Sequence, residues 1–334
     1  MTDVRELIQQ TRAATARAVN SSLVMLYWEI GERVRREVLR EQRAEYGQEI
    51  VPTLSAQLSA EYGRGFGKRN LFRMIQFAEQ FPDRAIVSAL SKQLGWSHLV
   101  EIIALEDDLK REFYAEMCRV EGWSVRTLRE KISGMLFERT ALSKKPAELA
   151  RQELANLRES DRLSPDLVFR DPYFLDFLGL KDTYSERDLE AAILREMESF
   201  LLELGNGFTF VARQKRIVID AEDFYLDLLF YHRKLRRLVA IDLKLDKFKA
   251  AYKGQMELYL RWLEKHDMQP GEESPLGLIL CEHAGQEQIE LLQLDDTTIR
   301  VASYLTELPP KVLLQDKLRA ATELARQRLQ EDKQ

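Results

Sequence analysis

Only two cysteines, Cys118 and Cys281, occur among 334 residues, far apart and with no CxxC or Cys/His spacing. That excludes a disulfide framework and a structural zinc site as organising devices. No run of about 18 apolar residues exists, so no membrane span and no membrane partner are expected. The opening "MTDVRELIQQ" lacks the apolar stretch of a signal peptide, which makes a cytoplasmic protein the expectation. Internal repeats are missing, and so is the GxxxxGKS/T pattern of a phosphate-binding loop. Positive charge is not in excess either: 50 Lys and Arg face 55 Asp and Glu, for a formal net charge of −5. Any binding to a polyanion must therefore rest on local basic patches.

The charge is unevenly spread. Residues 1–150 carry 23 basic against 21 acidic side chains, and the remainder carries 27 against 34. The acidity thus collects in the C-terminal part, where carboxylates can serve to bind a cation. With 45% apolar and 31% charged residues, the composition is that of a globular chain long enough for two cores.

Residues 1–150 read as a helical domain. From Val4 to about Arg40 apolar residues recur mostly at three- and four-residue intervals, and shorter periodic segments follow, separated by Gly and Pro. Such a series suits a compact bundle with room for a helix-turn-helix. Residues 151–170, ending in a Ser-Pro turn, read as a connector with some helix. In 171–334 the period changes: "SERDLEAAILREMESFLLELG" is a helix ending at Gly205. "FTFVARQKRIVI" and "FYLDLLFYH" alternate as a hairpin, and "RRLVAIDLKL" is a third strand. "KAAYKGQMELYLRWLEKH" is a helix, "PLGLILCE" a buried strand, and "QIELLQL" and "IRVASYL" are expected as further strands.

Two strands carry the chemistry. Alternation puts Asp242 and Lys244 on one face and Ile241 and Leu243 on the other. Asp227 interrupts the equally apolar "YLDLLF". If these strands are neighbours, Asp227 and Asp242 converge, and two close carboxylates repel unless protonated or bridged by a cation. Mg²⁺, with Mn²⁺ as an alternative, relieves that repulsion through oxygen ligands. Lys244 then lies beside the metal, Glu198 on the preceding helix faces it, and Gln214, Gln255 and Tyr252 are supporting polar groups. Such a set suits metal-assisted phosphodiester hydrolysis. The plain alternative is a strand-end ion pair of Asp242 with Lys244 or Arg236, and a surface Asp227.

The order helix, strand, strand with Asp, strand with Asp-x-Lys, helix, strand resembles the PD-(D/E)XK nuclease core. "FLLELGNGFTFVARQKRIVI", "FYLDLLFYHRKLRRLVAIDLKLDKFKAAYKGQMELYL" and "GLILCE" resemble the bacterial YhcG-like family more closely. "YGRGFGKRNLFRMIQF", "LGWSHLVEII" and "REFYAEMCRVEGWSVRTLREKI" are similar to that family's helical N-terminal domain. The resemblance implies an α/β domain with a central mixed sheet and a metal-dependent nuclease. It further implies Asp227 and Asp242 as metal ligands, Lys244 as the catalytic lysine and Glu198 as the helix acid. Relatives commonly have Glu where this chain has Asp242.

The expected function is a Mg²⁺-dependent endonuclease acting on DNA, with the helical domain recognising substrate or partner. The alternative is a non-catalytic nucleic-acid-binding or assembly protein that keeps the fold. Arg64, Lys68, Arg69 and Arg73, around a Gly-rich turn entering a helix, are candidate phosphate contacts. Arg233 and Lys234, in a hairpin loop expected beside the site, are further candidates. A homodimer would allow both strands of a duplex to be cut.

Overall fold

The computed structural model describes residues 2–40, 44–180, 183–284, 286–292, 294 and 298–331. Chain contacts divide it into two compact units between Gly134 and Met135. The first unit is all helix: Thr2–Arg40, Ala44–Tyr62, Lys68–Gln80, Arg84–Ser91, Trp96–Ile103, Asp108–Glu121 and Val125–Ser133. Its core is built from the apolar stripes of these helices, with Leu71, Met74, Phe77, Val87, Leu99, Phe113 and Leu128 all buried. The first helix crosses Lys68–Gln80 so closely that a side chain at Gly31 would collide with the Met74 carbonyl. Trp28 anchors the same helix by donating from Nε1 to the Phe81 carbonyl oxygen at 2.8 Å. Asp83, Asp107 and Ser124 each cap a helix by accepting a backbone N–H, which fixes where those helices begin.

The second unit is α/β. Helices Ala147–Ser160 and Pro165–Val168 belong to it, so the stretch read as a connector is folded into this body. Its buried Ala150, Leu154 and Leu157 form an apolar stripe at three- and four-residue spacing. The six strands are β1 (Tyr173–Phe174), β2 (Phe208–Ile219), β3 (Glu222–His232), β4 (Arg237–Leu243), β5 (Leu276–Cys281) and β6 (Ile299–Leu305). They form one mixed sheet in the order β1-β6-β5-β4-β3-β2, with β2, β3 and β4 antiparallel in turn and the remaining pairs parallel.

Strand β5 is buried at every position, and β4 from Leu238 onward. Helix Ala250–His266 covers one face with Met256, Tyr259, Leu260 and Leu263. Gly277 gives Met256 room on that face, since a Cβ there would lie 2.6 Å from Met256 Cγ. The segment expected as the strand "QIELLQL" contains a helix, Gln286–Leu291. Topology explains the difference: β5 and β6 are parallel, and parallel neighbours need a crossover that a hairpin-like strand cannot supply.

The β2–β3 turn is two residues long, Asp220 and Ala221, with φ of 50° and 67°. Both values are the left-handed ones that tight hairpins require, and alanine bears a cost there that glycine does not. Ala221→Gly is expected to stabilise the second unit by about 0.5–1 kcal/mol in denaturant unfolding. An unchanged or lowered midpoint would contradict the strained turn.

Candidate active site

The site forms where β3 and β4 run side by side. Their ladder pairs Leu228 with Ile241, so the next positions outward are Asp227 and Asp242. Instead of continuing the backbone ladder, the Leu243 N–H donates to Asp227 Oδ2 at 2.8 Å. Asp242 is 2% exposed and flanked by Ile241 and Leu243, both fully buried. The parallel pairing with β5 sets Asp242 beside Ile279, and the Lys244 N–H donates to the Leu280 carbonyl oxygen at 2.8 Å. Lys244 is thereby held one alternation beyond Asp242, with Nζ 3.0 Å from Asp242 Oδ2. This ion pair is the contact that Asp242 Oδ2, wholly enclosed by protein, makes with a cation.

Burial pushes the Asp242 carboxyl up to about 7; the Lys244 ammonium opposes this rise and the Asp227 charge adds to it. Burial also works against the charge on Lys244, but Asp242 outweighs it and the lysine pKa is raised. Lys244 thus stays an ammonium, 5.3 Å from the centre of the Tyr252 ring. Tyr252 is itself pinned by Asp246, whose two carboxylate oxygens accept from its hydroxyl at 2.7 and 3.0 Å.

The helix before β2 is interrupted. The segment read as one helix breaks at Glu196, which adopts φ −102° and ψ 35°, into Glu186–Arg195 and Met197–Leu204. Glu198 lies exposed on the second piece, with no hydrogen bond or ion pair among the described residues. Glu190 takes the place near the aspartates instead. Gln214 Nε2 donates to Glu190 Oε2 at 2.7 Å and to Asp227 Oδ1 at 3.0 Å, tying helix, β2 and β3 together. Glu186, one turn earlier, is close enough to raise the Lys244 pKa. A cleft of about 550 Å³ opens here, walled by Glu186, Glu190, Gln214 and Asp227.

Of the other expected groups, Gln255 donates to the Tyr259 hydroxyl at 2.5 Å, and that hydroxyl donates to the Tyr225 carbonyl oxygen at 3.3 Å. Gln255 therefore braces helix Ala250–His266 against β3. Arg233 and Lys234 occupy the β3–β4 turn at the opposite end of β4 from Asp242. Five residues of strand, about 16 Å, separate that turn from the aspartates, so it is not beside the site. Arg64 lies in the turn before helix Lys68–Gln80 and Lys68, Arg69 and Arg73 in its first turns, in the first unit; none makes an ion pair among the described residues. Glu186, Glu190 and Asp246 are further polar groups of this region that the strand pattern does not mark. Glu186 and Glu190 sit four apart behind the Ser185 capping box, a spacing that places both on one helix face.

The donor set is all oxygen and suits a hard divalent cation. The aspartates are adjacent, and the Gln214 amide stands between Asp227 and Glu190. Among the described residues no three metal-binding side chains already converge. A mixed six-stranded sheet presenting Asp, Asp-x-Lys and a helix glutamate defines a nuclease domain of the PDDEXK type. The comparisons agree: residues 3–139 match the DUF1016 N-terminal domain and residues 166–319 the YhcG PDDEXK nuclease domain. A relative from Escherichia coli (strain K12), named "Putative nuclease YhcG", is 36% identical across 93% of this chain and 91% of its own length. The chain belongs to the YhcG family. A crystal structure of a repair endonuclease from Pyrococcus abyssi overlaps 39% of this chain and 50% of its own, at 18% identity and a TM-score of 0.27. Among the described residues no helix is long and apolar enough to cross a membrane.

The raised Asp242 pKa sets a pH dependence. A carboxyl whose folded pKa exceeds its unfolded value of 3.8 contributes stability present below that value and lost as pH rises through about 7. In metal-free buffer, wild type should therefore lose roughly 1–4 kcal/mol relative to Asp242→Asn between about pH 4 and 8. Parallel pH profiles of the two proteins would sink this account of the buried carboxyl.

Proposed function

We propose that the protein is a Mg²⁺-dependent endonuclease that hydrolyses DNA phosphodiester bonds, with Mn²⁺ as an alternative ion. The observation that carries this reading is the buried Asp242, adjacent to Asp227 and paired with Lys244 on the same strand. Asp227 and Asp242 would hold the cation, and Glu190, which shares the cleft wall with Asp227 and Glu186, is the third carboxylate of the set. When bound, the cation supplies Lewis-acid polarisation of the phosphate and activates the attacking water.

The chain's own groups do the rest. Lys244 presents its ammonium to a non-bridging phosphate oxygen, where negative charge grows as water attacks. Tyr252, fixed by Asp246, limits the swing of the lysine. Main-chain bonding to β5 holds the Asp-x-Lys strand rigid, so the reacting groups keep their spacing. Asp242 is one methylene shorter than the Glu common among relatives, and Asp227 being fastened to the Leu243 N–H keeps the second carboxylate close. In the helical domain, Arg64, Lys68, Arg69 and Arg73, without ion pairs among the described residues, offer cations for substrate backbone.

Two sets of variants test this. Asp242→Ala and Lys244→Ala should each lower cleavage of labelled DNA by at least about a hundredfold while circular dichroism stays native. Cleavage undiminished in both would leave a nucleic-acid-binding protein without this catalytic centre. Glu190→Gln should lose activity while Glu198→Gln keeps it; the reverse pattern would restore Glu198 as the helix acid.

A further inference from the structure

Two arginines join the carboxylates in the cleft. Arg187, on helix Glu186–Arg195, and Arg213, on β2, both line it. Each is exposed, and neither makes an ion pair or hydrogen bond among the described residues, although Glu186, Glu190 and Asp227 line the same cleft. Arg216, three residues along β2, is by contrast paired and bonds Asp223 at 2.9 Å.

The backbone accounts for how Arg213 reaches the cleft. In a regular strand, Arg213 and Gln214 would point to opposite faces, yet both line the cleft. Gln214 has φ 42°, a left-handed conformation that is unfavourable for a side chain with a Cβ, and β2 carries a bulge at Val211 just upstream. The amide that bridges Glu190 and Asp227 holds that conformation in place. Strand β2 is also the sheet edge, so its outer side has no neighbouring strand to obstruct a long substrate.

We propose that Arg187 and Arg213 form a phosphate clamp, gripping backbone phosphates of a nucleic acid next to the one being cleaved, with Gln214 as the positioning residue for Arg213. The inference rests on the nuclease reading for the identity of its ligand. An arginine fork suits a phosphate through paired N–H donors. Carboxylates that gather a cation and guanidiniums left free for phosphate divide the cleft into two functions. The clamp acts on binding, so its loss raises KM more than it lowers kcat.

The test uses the full chain with fluorescein-labelled duplex DNA, single-stranded DNA and single-stranded RNA, followed by anisotropy in Ca²⁺ across a salt series. Arg187→Ala and Arg213→Ala should each weaken binding of the tightest probe about tenfold. Each should also flatten the log K against log salt slope by about 0.7–0.9. Gln214→Ala should mimic Arg213→Ala, Arg213→Lys should recover part of the affinity, and Arg216→Ala should match wild type. Unchanged affinity and slope in both arginine variants, or no binding of any probe by wild type, would overturn the clamp. Cleavage by wild type separates the two ideas. If wild type binds through the arginines but cleaves no probe with Mg²⁺ or Mn²⁺, the nuclease reading fails and the clamp stands.

Discussion

A carboxylate buried in the middle of a sheet is the constraint around which the second unit is organised. Asp242 lies between apolar neighbours on β4, with β3 on one side and β5 on the other, and removing such a group from water is costly unless its charge is matched. Lys244 supplies part of that match, while Asp227 opposes it. The fold therefore holds two like charges together with incomplete compensation. That state favours a proton or a cation, and it persists because backbone bonding of β4 to both neighbours leaves Asp242 nowhere to retreat.

The surrounding polar groups follow from this. Asp227 has one oxygen on the Leu243 N–H and the other on the Gln214 amide, so its geometry is set from β4 and from β2. The same amide reaches Glu190, which links the helix to the pair. Tyr252 answers to Asp246, and Gln255 answers to Tyr259. These bonds leave few side-chain torsions free near Asp242, which suits a site that must present charge at fixed spacing.

Rigidity and access are divided across the sheet. Its centre, β4 and β5, is buried and fixed, whereas β2 at the edge contains a bulge and a left-handed residue. The cleft lies on the edge side, where the backbone deviates, and Asp242 is anchored in the centre, where it does not. The opposite end of β4 ends in the turn bearing Arg233 and Lys234, too far along the strand to share that cleft.

Much of this was legible in the residues themselves. A period of two in "LVAIDLK" and "YLDLLF" is enough to set Asp227, Asp242 and Lys244 on working faces, because alternation is a local property of extended backbone. Helical repeats and Gly or Pro punctuation likewise mark the helical first part and the change to α/β, since burial selects periodicity directly. Tertiary structure decided the rest. The break at Glu196 divides the expected helix, and it is Glu190, on the first piece, that the Gln214 amide links to Asp227. Parallel pairing of β5 and β6 placed a helix in the expected strand "QIELLQL". Arg213 and the left-handed Gln214 both line the cleft, which strand parity alone does not give. Each of these depends on a neighbour distant in sequence, and local pattern holds no record of it.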